Sequence, residues 1–203
     1  MHTTNNLISN TFDYADLELS QQVYSQFSSG KVVTKRIYET YTQQFIENPL
    51  YTELYKHLDS HYSLLYKHIG FELVFNSGGE FFHIRKDDSS EDADENATKV
   101  QALLLVIARF WTDKSFDLDD LANEHFGLKA KHIDEIKRNE QYDRIRGALM
   151  PKDDWDACVR FLLNRNFMYR CGDGHYVVSS AGMFFIQHHV KKYESSISSP
   201  EKP

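Results

Sequence analysis

The chain has 203 residues and a formal charge of −7, with 41% apolar and 14% aromatic residues. That length suits one large domain or two small ones burying roughly two thirds of the unfolded surface, and the acidic balance excludes a protein that coats nucleic acid or anionic lipid with its whole surface. The longest apolar run, Ala102 to Ala108, falls far short of the about 20 residues a membrane helix needs.

Residues 1–10 are polar and expected to fray. No charged-then-apolar leader opens the chain, and the two cysteines, Cys158 and Cys171, make no disulfide framework, so a cytoplasmic setting is expected. From Asp16, a stripe of Leu17, Leu19, Val23, Tyr24 and Phe27 predicts a helix that Gly30 ends. Lys31-Val32-Val33 reads as a short extended piece, and Thr34 as the N-cap of a helix carrying Ile37, Tyr38, Tyr41 and Phe45. Pro49 suits the first turn of a long helix with the stripe Tyr51, Tyr55, Leu58, Tyr62, Leu65 and Ile69. Glu53, Lys56, Asp59 and Lys67 lie off that stripe and are expected to stay wet. Gly70 sits where the helix must end at positive φ. Phe71, Leu73 and Phe75 then alternate as a strand, Asn76-Ser77-Gly78-Gly79 is turn chemistry, and Glu80 to Arg85 alternates again with Phe82 and Ile84 on one face. A helix feeding a two-stranded hairpin is the back half of a winged helix, so residues 1–88 read as an N-terminal winged-helix domain.

Asp87 to Glu95 is an acidic run with no apolar anchor, and residues 89–96 are expected to be a solvated linker. Asn96 or Thr98 then caps a helix whose apolar residues, Val100 and Leu103 to Ile107, point nearly all round; such a helix must be buried between two bodies. Asp117 with Asp120 suits a helix start, with Leu118, Leu121 and Phe126 following and Gly127 closing. Lys129 to Met150 is helical in character, with Ile133, Ile136, Ile145 and Leu149 as its apolar points. Asp153 or Asp154 caps a helix with Trp155, Cys158, Val159 and Leu162 inward. Phe167 to Arg170 and His175 to Val178 flank the turn Cys171-Gly172-Asp173-Gly174 as a second hairpin. Ser180 suits the cap of a last helix with Met183, Ile186 and Val190 inward, before a disordered tail over 195–203. The predicted fold class is therefore mainly α with small β-hairpins (α+β): two tandem winged-helix domains, the second at 97–194.

No catalytic constellation emerges. His57 and His61 have the four-residue spacing of metal ligands but lack HExxH, and two histidines on a wet face account for them. Cys158, Cys171 and His175 lack a paired C-x-x-C; they read as a buried small residue and turn residues. His188-His189 reads as an exposed helix end. The glycines at both hairpin tips lack the strand–glycine–helix context of a phosphate cradle, and no G-x-S-x-G occurs. No cofactor or metal is expected.

One signal is basic. Residues 1–96 carry 7 basic against 15 acidic residues (−8), whereas 97–203 carry 16 against 15 (+1). Lys129, Lys131, Arg144, Arg146, Lys152, Arg160 and Arg165 are the candidate DNA contacts, with Lys137 and Arg138 in the same region. Arg160 and Arg165 flank the helix before the second hairpin, the element that commonly meets DNA in a winged helix. Such contact would be non-specific and salt-sensitive; the competing reading is a solvated face, with Asp153, Asp154 and Asp156 beside it.

Phe27-Ser28-Ser29-Gly30-Lys31-Val32-Val33, Tyr62 and Tyr66, Ile69-Gly70-Phe71-Glu72-Leu73, the glycine turn and Phe81-Phe82-His83-Ile84-Arg85 resemble the N-terminal half of MukE, and more closely its MksE relatives in the MksBEF and plasmid-defence condensins. Leu103-Leu104-Leu105 and the second helix–hairpin unit fall where that family has them. The resemblance covers about residues 16–190 and is one of pattern and order. It implies a non-enzymatic KITE-type tandem winged-helix subunit that dimerises, clasps a MukF/MksF-like kleisin and so regulates the SMC ATPase on DNA, in chromosome segregation or plasmid defence, nucleoid-associated and without a membrane partner. The chain lacks the long acidic C-terminal extension of MukE, which favours the MksE-like or defence branch. The alternative from another class is a winged-helix transcriptional regulator; a metal hydrolase built on His57 and His61 is a third, remote reading.

Overall fold

The computed structural model describes residues 11–86, 95–172 and 174–198. The polar first ten residues, residues 87–94 of the acidic run, Asp173 and residues 199–203 lie outside the described residues, so the expectations placed on them stay as expectations.

The first half runs α1 (Leu17–Ser28), β1 (Val33–Thr34), β2 (Arg36–Glu39), β3 (Gln44–Glu47), α2 (Pro49–Lys56), a π turn (Leu58–Tyr62), α3 (Ser63–His68), β4 (Phe71–Asn76) and β5 (Phe81–Lys86). The second runs α4 (Glu95–Asp113), a 3-10 turn (Leu118–Ala122), α5 (Ala130–Arg138), α6 (Glu140–Leu149), α7 (Trp155–Leu163), β6 (Met168–Cys171), β7 (His175–Val178) and α8 (Ser180–Ser198). Among the described residues three small antiparallel sheets form, ordered β1-β5-β4, β2-β3 and β6-β7. The fold is α+β, and each half contains a helix that feeds a hairpin.

Local chemistry explains most boundaries. Asp16 caps α1 by accepting the Leu19 N–H at 2.9 Å, Asn48 caps α2 ahead of Pro49, and Asp154 caps α7 by accepting the Ala157 N–H at 2.7 Å. Gly70 takes φ +81 at the end of α3, as its position demands.

Several expectations are corrected. The stretch after Thr34 is a hairpin and not a helix: Ile37 pairs with Ile46 and Tyr38 with Phe45. The spacing of Ile37, Tyr38, Tyr41 and Phe45 fits a helix, but β-branched and aromatic side chains pair more favourably across two strands. Tyr41 then lies at the exposed tip, and the Thr34 hydroxyl, no longer a cap, donates to the Arg36 carbonyl at 2.8 Å. The single helix expected over 51–69 is broken by the π turn, whose wider winding shifts the inward face. Tyr51, Leu54, Tyr62 and Tyr66 are buried, while Tyr55 and Ile69 are exposed. Glu53, expected wet, is buried and satisfied: its Oε1 accepts the Asp16 N–H at 3.0 Å and the Tyr62 hydroxyl at 3.1 Å. In α1, Val23 and Phe27 turn inward but Leu17 and Tyr24 stay in solvent.

In the second half, α4 already begins at Glu95, inside the expected linker, and a Glu95–Lys99 i,i+4 pair at 2.6 Å spans its first turn; Asn96 and Thr98 are helical and not caps. The Asp117 segment closes as a 3-10 turn, after which Gly127 takes φ +40 with its Cα against the Tyr176 carbonyl. That approach lets Leu128 and Tyr176 exchange two backbone hydrogen bonds of 2.7 Å, tying the turn to β7. Asn139 splits Lys129–Met150 into α5 and α6 by accepting the Gln141 N–H at 2.9 Å. Ser179, not Ser180, supplies the hydroxyl at the start of α8, accepting the Gly182 N–H at 3.2 Å. That helix continues to Ser198, past the expected start of the tail, so His188 and His189 lie within it and not at its end.

Two apolar cores meet at the three-stranded sheet. Side chains alternate along β5, so Phe82 belongs to the core that holds Val23, Phe27, Leu54 and Tyr62, whereas its neighbour Phe81 belongs to the core that holds Leu103, Leu104 and Ile107 of α4. Val32 also belongs to the second core. The hairpin tips complete the junction. A Cβ on Gly79 would lie 2.7 Å from the Phe81 ring and 2.8 Å from Phe184 Cβ, so the β4-β5 tip seats directly on α8. In return the Gly172 N–H at the β6-β7 tip donates to the Tyr38 hydroxyl of β2 at 2.8 Å.

Candidate interaction surface

The seven basic candidates occupy different situations. Lys129, Lys131, Arg144, Lys152 and Arg160 are exposed around α5, α6 and α7. Arg146 is not available in the same way. It pairs with Asp143 at 2.7 Å and donates to the Asp153 carbonyl at 2.5 Å, locking the α6–α7 connection. Arg165 lies 3.7 Å from the centre of the Phe161 ring and 3.4 Å from Asn96 Oδ1, so it also serves the fold. Beside them Lys137 bridges Asp134 and Asp156. The charge surplus is legible in the sequence, as is the i,i+3 spacing of Asp143–Arg146 and Asp134–Lys137, whereas the Lys137–Asp156 and Arg165–Asn96 contacts appear only in the fold.

The metal-like sets disperse. His61 is buried, not wet, with Nδ1 3.0 Å from Thr11 Oγ1 and its ring edge-on to Phe12. Cys158 is buried with Sγ 3.7 Å from Met150 Sδ, and burial raises its thiol to about 11. Cys171 is buried too, contrary to a turn position; burial raises it to about 12. Neither supplies a thiolate nucleophile near neutral pH. His175 Nε2 lies 2.5 Å from the Glu124 carbonyl. Among the described residues no group of three or more His, Cys, Asp or Glu is placed to share an ion, and no helix is long and apolar enough to cross a membrane.

Three histidines carry a pH dependence. Burial lowers His61, His83 and His132 below the usual value of about 6.5. His132 Nδ1 accepts the Lys129 N–H at 3.1 Å at the start of α5, a role only the neutral ring can fill. His83 Nδ1 is buried and finds no hydrogen-bond partner among the described residues. A base whose folded pKa is depressed binds more protons when unfolded, so stability is full above about pH 6.5 and is lost as pH falls below it. The Glu72, Glu135 and Asp143 carboxylates, lowered by Arg85, Lys114 and Arg146, add their own loss only below about pH 4.5. Urea midpoints are therefore expected to decline between pH 7.5 and 5, and His132→Gln to flatten that decline; a flat wild-type profile over this window contradicts the account.

The feature missed in the sequence lies between the halves. A cleft of about 570 Å³ is walled by Lys35, Arg36, Phe45, Glu80, Tyr169 and Phe184, among others. A second, of about 440 Å³, is walled by Arg36, Tyr38, Phe45, Glu124, Cys171 and His175. Arg36, Phe45 and Glu124 line both. Reading residues 36–47 as strands would have placed Arg36 and Tyr38 on one face, but nothing local announces that this face meets a hairpin some 130 residues away.

These features define an α+β protein with charged faces and an inter-unit groove. The chain matches the family model of the condensin complex protein MksE over residues 18–190, which takes in both helix–hairpin units. It belongs to that family. No curated protein matches it individually.

Proposed function

We propose that this chain is a non-catalytic accessory subunit of a bacterial condensin-like SMC complex that binds the kleisin subunit and reaches the SMC ATPase through it. The family match across both units carries the reading. On it, the two helix–hairpin units are tandem winged helices joined through the acidic run and α4, with boundaries near 1–88 and 97–194. The tip contacts favour protein partners over groove reading. Gly79 is pressed on Phe184 and Gly172 is held by Tyr38, so both wing tips are engaged within the chain. Nothing observed favours the transcriptional-regulator alternative.

The first unit is the dimerisation surface in this reading. Leu17, Tyr24, Tyr55, Leu64 and Ile69 are between 49% and 74% exposed on α1, α2 and the α3 end, an apolar burden that a second copy would cover. DNA contact is non-specific and falls to Lys129, Lys131, Arg144, Lys152 and Arg160. Whether the complex serves chromosome segregation or plasmid defence follows from its gene neighbours. Co-purification with the kleisin encoded beside this chain tests the proposal: stoichiometric capture that survives 0.5 M salt, where surface charge pairing is largely screened, is the expected result, and a chain recovered alone opposes it.

A further inference from the structure

We infer that the β2-β3 hairpin is a strap that opens independently of both cores and, in opening, joins the two clefts between the units into one groove. Its apolar side chains, Ile37, Tyr38, Phe45 and Ile46, belong to neither buried core. A two-stranded hairpin by itself is marginal in water, so this one persists through what it docks on.

Backbone bonds anchor the hairpin's root, with the Lys35 N–H donating to the Glu80 carbonyl at 3.0 Å and the Asn48 N–H to the Lys35 carbonyl at 2.8 Å, and the Tyr169 hydroxyl lies 3.4 Å from the Arg36 carbonyl. Tyr38 accepts the Gly172 N–H at 2.8 Å, the Thr34 and Tyr169 hydroxyls lie 2.5 Å apart at the hairpin's root, and the Phe45 and Tyr169 rings meet edge-on at 5.7 Å. Within the hairpin, Arg36 donates to the Phe45 carbonyl at 3.0 Å. The tip is in solvent, with Tyr41 96% exposed and Gln43 held at φ +54. A hairpin whose side chains join neither core, held at a buried root contact and by half-buried rings beyond it, is a unit that opens before global unfolding.

The position of the strap gives the opening a consequence. Arg36 and Phe45 are two of the three residues that line both clefts, Glu124 being the third, so lifting the hairpin leaves Glu124 as the one shared wall residue between them. What lies beneath includes Cys171, which is buried and lines the second cleft. The device is independent of which partner the groove takes.

The chain carries its own probe, since Cys158 and Cys171 are its only thiols and both are free. Cys158 sits in the α4 core and serves as the internal reference. The full chain is pulse-labelled with a maleimide under native conditions and each thiol followed by peptide mass spectrometry. Cys171 is expected to label at least ten times faster than Cys158. Tyr38→Phe, which deletes one hydrogen bond, is expected to raise the Cys171 rate about fivefold and leave Cys158 where it was. Amide exchange over residues 36–47, compared with α4, gives a second reading and is expected to accelerate by the same factor. Equal labelling of the two thiols, a Tyr38→Phe variant with an unchanged Cys171 rate, or a variant that accelerates both thiols alike overturns the inference.

Discussion

Leu104→Ala is expected to destabilise the chain by about 3–4 kcal/mol, measured by urea unfolding at pH 7.5. Leu104 is fully buried on α4 in the cluster that contains Val32 and Phe81 of the first half as well as Leu162, Val178 and Ile186 of the second. Truncating it removes apolar contacts and leaves a cavity the surrounding helices cannot fill without moving both halves. Because the shared core would be lost as a unit, the unfolding transition should shift without splitting in two. A cost within about 0.5 kcal/mol, the range for exposed positions, contradicts the placement of α4.

The second large effect runs against intuition. Alanine normally stabilises a helix over glycine by about 1 kcal/mol, yet Gly182→Ala in α8 is expected to cost roughly 2–3 kcal/mol. An added Cβ would meet Val178 Cγ1 at 2.6 Å and the Phe167 carbonyl oxygen at 2.7 Å. The carbonyl cannot retreat, since it accepts the Ser179 N–H at 3.0 Å at the end of β7. Gly147 in α6 provides the contrast: an added Cβ there meets nothing within 4 Å, so Gly147→Ala should raise the melting temperature. Opposite signs for the two substitutions support the packing of α8 on the second hairpin; the same sign for both removes that support.

How much was legible in the sequence follows from how far each determinant acts. Pro49 and Gly70 fix element ends within a few residues and are read directly, whereas the Asp16 cap is not singled out by its neighbours and Asp153 and Asp154 compete for one cap until the fold chooses Asp154. The π turn at Leu58–Tyr62 cannot be read directly, because the helical stripe runs on through it and only the buried Glu53–Tyr62–Ser20 network shows why the winding changes. The β2-β3 hairpin is hidden in the sequence for a similar reason. Its partners Tyr169 and Gly172 lie about 134 positions away, and spacing alone cannot choose between a helix and two short strands. The basic candidates are visible as charges, and Asp143 three residues before Arg146 and Phe161 four before Arg165 are local neighbours, but Asn96, 69 positions from Arg165, comes near only on folding. The family pattern is legible despite these local ambiguities because it rests on the order of the helix–hairpin units, which the match over residues 18–190 spans.

Native mass spectrometry of the chain co-expressed with its neighbouring kleisin is the most direct check on the assigned role. A defined complex holding two copies of this chain per kleisin-bound assembly is the mass expected. A spectrum showing only free chain beside intact kleisin contradicts a condensin accessory subunit.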